Sequence, residues 1–178
     1  MSEYVSGAIS VRDNKLYFGK LNSHSGIERG WRLKPGSYRE FEWTGETPDS
    51  LTVRVETGEL DSRYISAILA QYPTRSAMLE SIHELRWDDV TAEYRDGKII
   101  LPDNLTVGGV LDLEGCTGIT VLPDNLTVGG WLNLEGCTGI TGLPDNLTVG
   151  GWLNLEGCTG ITVLPEGLRK RISGEICR

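Results

Sequence analysis

Histidine is scarce, with His24 and His83 the only two in 178 residues. An imidazole base working near neutral pH would have to be one of them, and neither has supporting company. His83-Glu84 runs into Leu85-Arg86-Trp87 and so does not begin an H-E-x-x-H zinc site; a G-x-S-x-G nucleophile turn and a glycine-rich phosphate loop are missing as well. A non-catalytic role is expected, with no cofactor. Basic residues are also short, 17 Lys plus Arg against 25 Asp plus Glu for a net charge of −8. That balance disfavours counterion release onto a basic patch and hence direct nucleic-acid binding, and makes a protein with a basic surface the better-matched partner. No run approaches the roughly 18 consecutive apolar residues of a membrane span. Met1 to Gly7 has neither the basic start nor the apolar stretch of a secretory signal, so a cytoplasmic protein without membrane contact is expected.

What is present in excess is self-similarity. LPDNLTVGGVLDLEGCTGITV fills Leu101 to Val121, LPDNLTVGGWLNLEGCTGITG fills Leu122 to Gly142, and LPDNLTVGGWLNLEGCTGITV fills Leu143 to Val163, a period of 21 residues. A fourth unit opens as LPEGL at Leu164 and dissolves into Arg169, Lys170 and Arg171. Repeats of this length build quasi-one-dimensional stacks in which each unit buries its apolar face only against its neighbours, so both ends need covering. Within a unit, Val110-Leu111-Asp112-Leu113-Glu114 alternates as a strand does, turning Leu111 and Leu113 inward and Val110, Asp112 and Glu114 outward. Gly115 and the Pro102-Asp103-Asn104 group supply corners. Stacked at the roughly 4.8 Å spacing of paired strands, every position becomes a column.

The string LDLEGCTGIT at Leu111 to Thr120, repeated twice as LNLEGCTGIT, resembles the L-x-L-x-x-[N/C]-x-x-[L/I] core of the leucine-rich repeat family. The resemblance covers Leu101 to about Leu168. The Leu-Pro pair opening each unit is similar to the short bacterial class of these repeats, and the LPDNLTVGG…CTG form resembles repeats of uncharacterised bacterial and bacteriophage proteins. The resemblance implies a β-solenoid and, as one use, inhibition of a bacterial defence protein. Against the family pattern, Gly108 and Gly109 replace a usual apolar position, and 21 residues leave no room for a convex helix.

Residues 1–100 lack this period. Ile9 to Phe18 reads as a hairpin about Asp13-Asn14, and Trp31 to Val55 as alternating strands broken at Lys34-Pro35-Gly36 and from Gly45 to Ser50. One helix is expected after Asp61, with Tyr64, Ile65, Ile68 and Leu69 on its apolar face. A second is expected after Thr74, with Met78, Leu79, Ile82 and Leu85 on its face and His83 within it. Val90 to Leu101 reads as a hairpin about Asp96-Gly97. The expected fold is therefore α+β: an N-terminal mixed-sheet and two-helix capping domain (1–100), a short leucine-rich-repeat-like solenoid (101–168), and a C-terminal cap (169–178).

Cys116, Cys137 and Cys158 recur at the repeat period. Stacked side chains point in parallel, a poor disulfide geometry, and without C-x-x-C or a flanking histidine there is no zinc pattern, so buried thiols are expected and no metal. Cys177 reads as a tail residue. Asn104-Leu105-Thr106, Asn125-Leu126-Thr127 and Asn146-Leu147-Thr148 match the glycosylation pattern but read as turn asparagines.

The outward columns remain as the candidate binding face: Val110, Trp131, Trp152; then Asp112, Asn133, Asn154; then Glu114, Glu135, Glu156. Exposed tryptophans beside amides and carboxylates form a plausible contact surface, although Trp on Trp also stabilises a sheet by itself. Leu101 to Leu168 holds eight acids and no Lys or Arg, and a ladder of carboxylates repels itself, which a basic protein would relieve. Two alternatives stand beside protein binding: a glycan stacked on Trp131 and Trp152 with hydrogen bonds to Asn133 and Asn154, and a small enzyme in the N-terminal region with the repeats as a targeting arm.

Overall fold

A computed structural model describes residues 5–18, 31–33, 38–54, 61–88 and 90–178. The chain divides into two units, Met1–Asp96 and Gly97–Arg178. Among the described residues both strands and two named α-helices are present, with sheets predominating, so the class is α+β. Among the described residues no helix is long and apolar enough to cross a membrane.

In the first unit an antiparallel sheet runs β2-β1-β3-β4, formed by Val5–Ser10 (β1), Leu16–Phe18 (β2), Tyr38–Trp43 (β3) and Leu51–Arg54 (β4). The β1–β2 register pairs Ile9 with Leu16, and Asn14 turns the chain at φ 56°, a left-handed value that asparagine tolerates. Helix α1 (Ser62–Gln71) starts at Asp61, whose carboxylate accepts from the Arg63 amide, and buries Tyr64 and Ile68. Helix α2 (Arg75–Ser81) starts at Thr74, whose hydroxyl accepts from the Ala77 amide; Glu46 accepts there from the Ser76 amide and hydroxyl and from Arg75 Nε.

Contrary to expectation, α2 stops at Ser81, so His83 is not helical and Leu85 belongs to β5 (Glu84–Trp87). The spacing of Met78, Ile82 and Leu85 suits a helix. However, Leu85 and Trp87 also alternate with Glu84 and Arg86, and antiparallel pairing with β6 (Val90–Arg95) claims them: Leu85 opposite Ala92, Trp87 opposite Val90. Leu85 and Trp87 are buried on one side while Glu84 and Arg86 are half exposed on the other. His24 and the Lys34-Pro35-Gly36 turn lie outside the described residues. Asp96 and Gly97 take left-handed φ values of 53° and 76°, and strand β7 (Lys98–Ile100) belongs to the second unit.

In the second unit the repeats stack in parallel with a 21-residue offset. Thr106–Val107 (β8), Thr127–Val128 (β10) and Thr148–Val149 (β12) form one sheet, and Thr127 pairs with both Thr106 and Thr148. Leu111–Asp112 (β9), Leu132–Asn133 (β11) and Leu153–Asn154 (β13) form another, extended by Ile176–Cys177 (β14). Each repeat is thus one rung that contributes a two-residue strand to each sheet. In the middle rung Leu122, Leu126, Val128, Leu132, Leu134, Cys137 and Ile140 are all at most 2% exposed. Burying each such leucine contributes on the order of 1.5–3 kcal/mol.

The paired glycines have a steric cause. A Cβ on Gly150 would stand 3.0 Å from the carbonyl carbon of Gly129 and closer still to its oxygen, whereas nothing lies within 4 Å of a Cβ on Gly108 or Gly109 in the first rung. Backbones meet at this corner too closely for a side chain between rungs.

Residues 164–178 form a partial fourth rung. Val149 bridges to Ile172, and Leu153 and Asn154 pair with Ile176 and Cys177, an offset of 23 that accommodates two extra residues. Gly167, at φ 72°, takes the left-handed corner that Asn104 and Asn125 occupy at φ 57°. Guanidinium groups finish the edge: Arg171 Nε donates to Leu147 O at 3.3 Å, and Arg178 Nη2 donates to Ile161 O at 2.7 Å.

Candidate functional site

The outward positions of the β9–β11–β13 sheet carry the candidate residues, and parallel register brings all three columns together. Trp131 and Trp152 stack with ring centroids 5.1 Å apart and planes 7° from parallel, and they remain 53% and 51% exposed. Each indole leans toward the following rung: a Cβ on Gly151 would stand 2.5 Å from Trp131 Cδ1, and Trp152 covers Gly174 in the same way. Glycine at that corner therefore makes room for the rings as well as for the backbone. Because the rings stack on each other, one face of each is covered by its neighbour. The stack is worth about 0.5–1.5 kcal/mol beyond its buried area, which leaves half of two large apolar side chains in water.

The second column is a hydrogen-bonded ladder. Asn133 Nδ2 donates to Asp112 Oδ1 at 3.3 Å and to Glu114 Oε2 at 3.5 Å; one rung on, Asn154 Nδ2 donates to Asn133 Oδ1 and to Glu135 Oε2, both at 3.1 Å. The side-chain oxygens of this column also fix the strand ends, since the backbone amides of Glu114, Glu135 and Glu156 donate to Asp112 Oδ1, Asn133 Oδ1 and Asn154 Oδ1 at 3.0, 3.2 and 3.0 Å. The glutamates are therefore not a bare column of like charges. Amide N–H groups from the next rung reach Glu114 and Glu135, which moderates the repulsion expected from sequence.

Along this face runs an open groove of about 410 Å³, bordered by Val110, Trp131, Trp152, Asn133, Asn154, Glu156 and, at its far end, Cys177. Asp112 also borders it, whereas Glu114 and Glu135 stand outside. Cys177 is the residue that sequence reasoning missed. Gly174-Glu175-Ile176-Cys177 repeats the pattern of Gly151-Trp152-Leu153-Asn154, but the two inserted residues break the 21-residue count that would have revealed it.

The other singled-out residues lie elsewhere. Cys116, Cys137 and Cys158 are buried thiols; Cys137 Sγ donates to Leu113 O and Cys158 Sγ to Leu134 O, both at 2.9 Å, and burial raises the pKa of the Cys158 thiol. Asn104, Asn125 and Asn146 form a second exposed ladder: Asn125 Nδ2 donates to Asn104 Oδ1 at 2.8 Å, and Asn146 Nδ2 donates to Asn125 Oδ1. His83 is exposed in the first unit. Among the described residues no group of three or more His, Cys, Asp or Glu side chains is arranged to hold a metal ion.

No family model, curated protein or solved structure matches this chain.

Proposed function

We propose that the protein is a non-catalytic protein-binding module in which a short leucine-rich-repeat-like solenoid presents an acidic and aromatic face to a partner with a basic surface. The observation that carries this reading is the half-exposed Trp131–Trp152 stack beside the groove. Large aromatics held rigid by stacking lose little freedom on contact, and such residues dominate binding energy where they are covered. Acidity supplies the partner's sign: the repeats carry eight acids and no Lys or Arg between Leu101 and Leu168. The stacked arrangement favours a protein over a glycan, because a sugar ring packs on an aromatic face and the facing surfaces of these two rings are already used.

Affinity capture from bacterial lysate at low and high salt, followed by binding kinetics on the captured protein, tests this reading. Trp131→Ala with Trp152→Ala is expected to speed dissociation, and changing Glu114, Glu135 and Glu156 together to Gln to slow association. Binding that ignores salt and tolerates the triple Gln change while losing affinity in the Trp variant would point to a neutral glycan instead.

A further inference from the structure

The amide ladder is built from a repeated clip. In the first two rungs a side-chain carbonyl or carboxylate oxygen and the carboxylate two residues later stand side by side as acceptors, and a planar amide from the next rung donates into both. Asp112 and Glu114 receive Asn133; Asn133 and Glu135 receive Asn154. Asn154 and Glu156 form the third clip. The residue in register beyond them is Cys177, not asparagine. A thiol is a single weak donor on a shorter side chain and cannot replace a two-donor amide. Among the described residues no side chain donates to Glu156 or forms an ion pair with it, and Glu156, unlike Glu114 and Glu135, borders the groove.

We infer that this third clip receives an arginine side chain of the partner, with its guanidinium standing where another asparagine amide would continue the ladder. This rests on the protein-binding reading and names the group that the face recognises. The two filled clips show the geometry a donor must adopt: a planar group with N–H bonds directed to two oxygens, 3.1 Å from each where Asn154 sits. A guanidinium NH2 is planar in the same way, can direct both of its hydrogens from one nitrogen to the two oxygens as Asn154 Nδ2 does, and adds the charge that the carboxylate calls for; an ammonium brings the charge without the planar group, and a second carboxamide the plane without the charge. The rim of Trp152 borders the same end of the groove and offers apolar surface to the arginine stem.

The test uses the full chain and three blocked tripeptides, Gly-Arg-Gly, Gly-Lys-Gly and Gly-citrulline-Gly, followed by nuclear magnetic resonance of the Asn154 side-chain amide and the Trp152 indole. The arginine peptide is expected to shift both signals and to bind several-fold more tightly than either of the others. Glu156→Gln should weaken it about tenfold, the scale of one charge-assisted hydrogen bond, and Asp145→Asn, at an exposed acid that does not border the groove, by less than about threefold, the range left to long-range charge. Cys177→Asn would supply the missing amide and close the clip, abolishing the shifts in a protein whose remaining spectrum is unchanged. The inference is overturned if Glu156→Gln matters no more than Asp145→Asn, if Cys177→Asn still binds, or if the peptide shifts neither signal up to its solubility limit. Those outcomes leave the wider reading standing if a captured basic protein still depends on Trp131 and Trp152. Loss of that dependence, with the peptide still held at Asn154, would sink the wider reading and spare the clip.

Discussion

Replacing Gly150 with alanine is expected to destabilise the repeat unit by about 2–4 kcal/mol, whereas the same change at Gly108, its equivalent in the first rung, should be neutral or slightly stabilising. The new methyl at Gly150 would fall within 3.0 Å of the Gly129 carbonyl, a backbone group that cannot swing aside. Relief requires the rungs to part, and two hydrogen bonds hold them at that corner: Gly150 N to Val128 O and Gly151 N to Gly130 O, both 2.8 Å. Overpacking costs about 1–3 kcal/mol, and weakening two backbone bonds adds about 1 kcal/mol more. At Gly108 a Cβ meets nothing within 4 Å, so alanine there only narrows the unfolded ensemble, a gain of about 0.4–1 kcal/mol. For a chain of this size the Gly150 change corresponds to a fall of roughly 5–15 °C in the unfolding midpoint. Thermal unfolding by circular dichroism reads the shift, and exchange protection of the Leu132 and Leu153 amides assigns it to residues 97–178. Equal stability of the two variants would refute the parallel stacking of rungs at this corner.

Cysteine reactivity should be selective: Cys177 is exposed, while Cys116, Cys137 and Cys158 are buried. Native protein treated with iodoacetamide should gain a single adduct at Cys177, with the other three reacting only after denaturation; rapid labelling of Cys137 would contradict the buried Cys137–Leu113 contact. Acid should weaken the first unit through two carboxyls. The Arg63 guanidinium holds Asp61 below its ordinary 3.8, and hydrogen bonds from Arg75 and Ser76 hold Glu46 below its ordinary 4.5. A depressed folded-state pKa adds stability that is fully present above the unfolded value and is lost as pH falls through the folded one. Denaturant midpoints measured between about pH 6 and pH 3 should therefore fall less steeply in an Asp61→Asn, Glu46→Gln variant than in the parent; parallel curves would show that these contacts are not formed.

The period, the inward leucines and the helix starts at Asp61 and Thr74 were all legible in the sequence, because each rests on local chemistry: alternation, or an oxygen placed to accept from the first helical turn. The end of α2 was not. Met78, Ile82 and Leu85 fit a helical face as well as Leu85 and Trp87 fit a strand, and only pairing with Ala92 and Val90, set by tertiary structure, decides between them. At the candidate site the columns could be read from spacing alone. Their hydrogen-bonding could not, since it depends on how far an asparagine reaches from one rung to the next. Cys177 was hidden by the two inserted residues that shift the last rung from an offset of 21 to 23.

The second and third rungs differ so little that their upper and lower surfaces are nearly interchangeable. A gene that gained or lost one whole repeat by recombination between the copies would encode a protein that closes up around the change. It would lengthen or shorten the groove by one indole, one amide and one carboxylate and leave the terminal rung with Cys177 intact. The face would then change in whole steps, by counting rungs rather than by altering residues, without passing through a misfolded intermediate sequence.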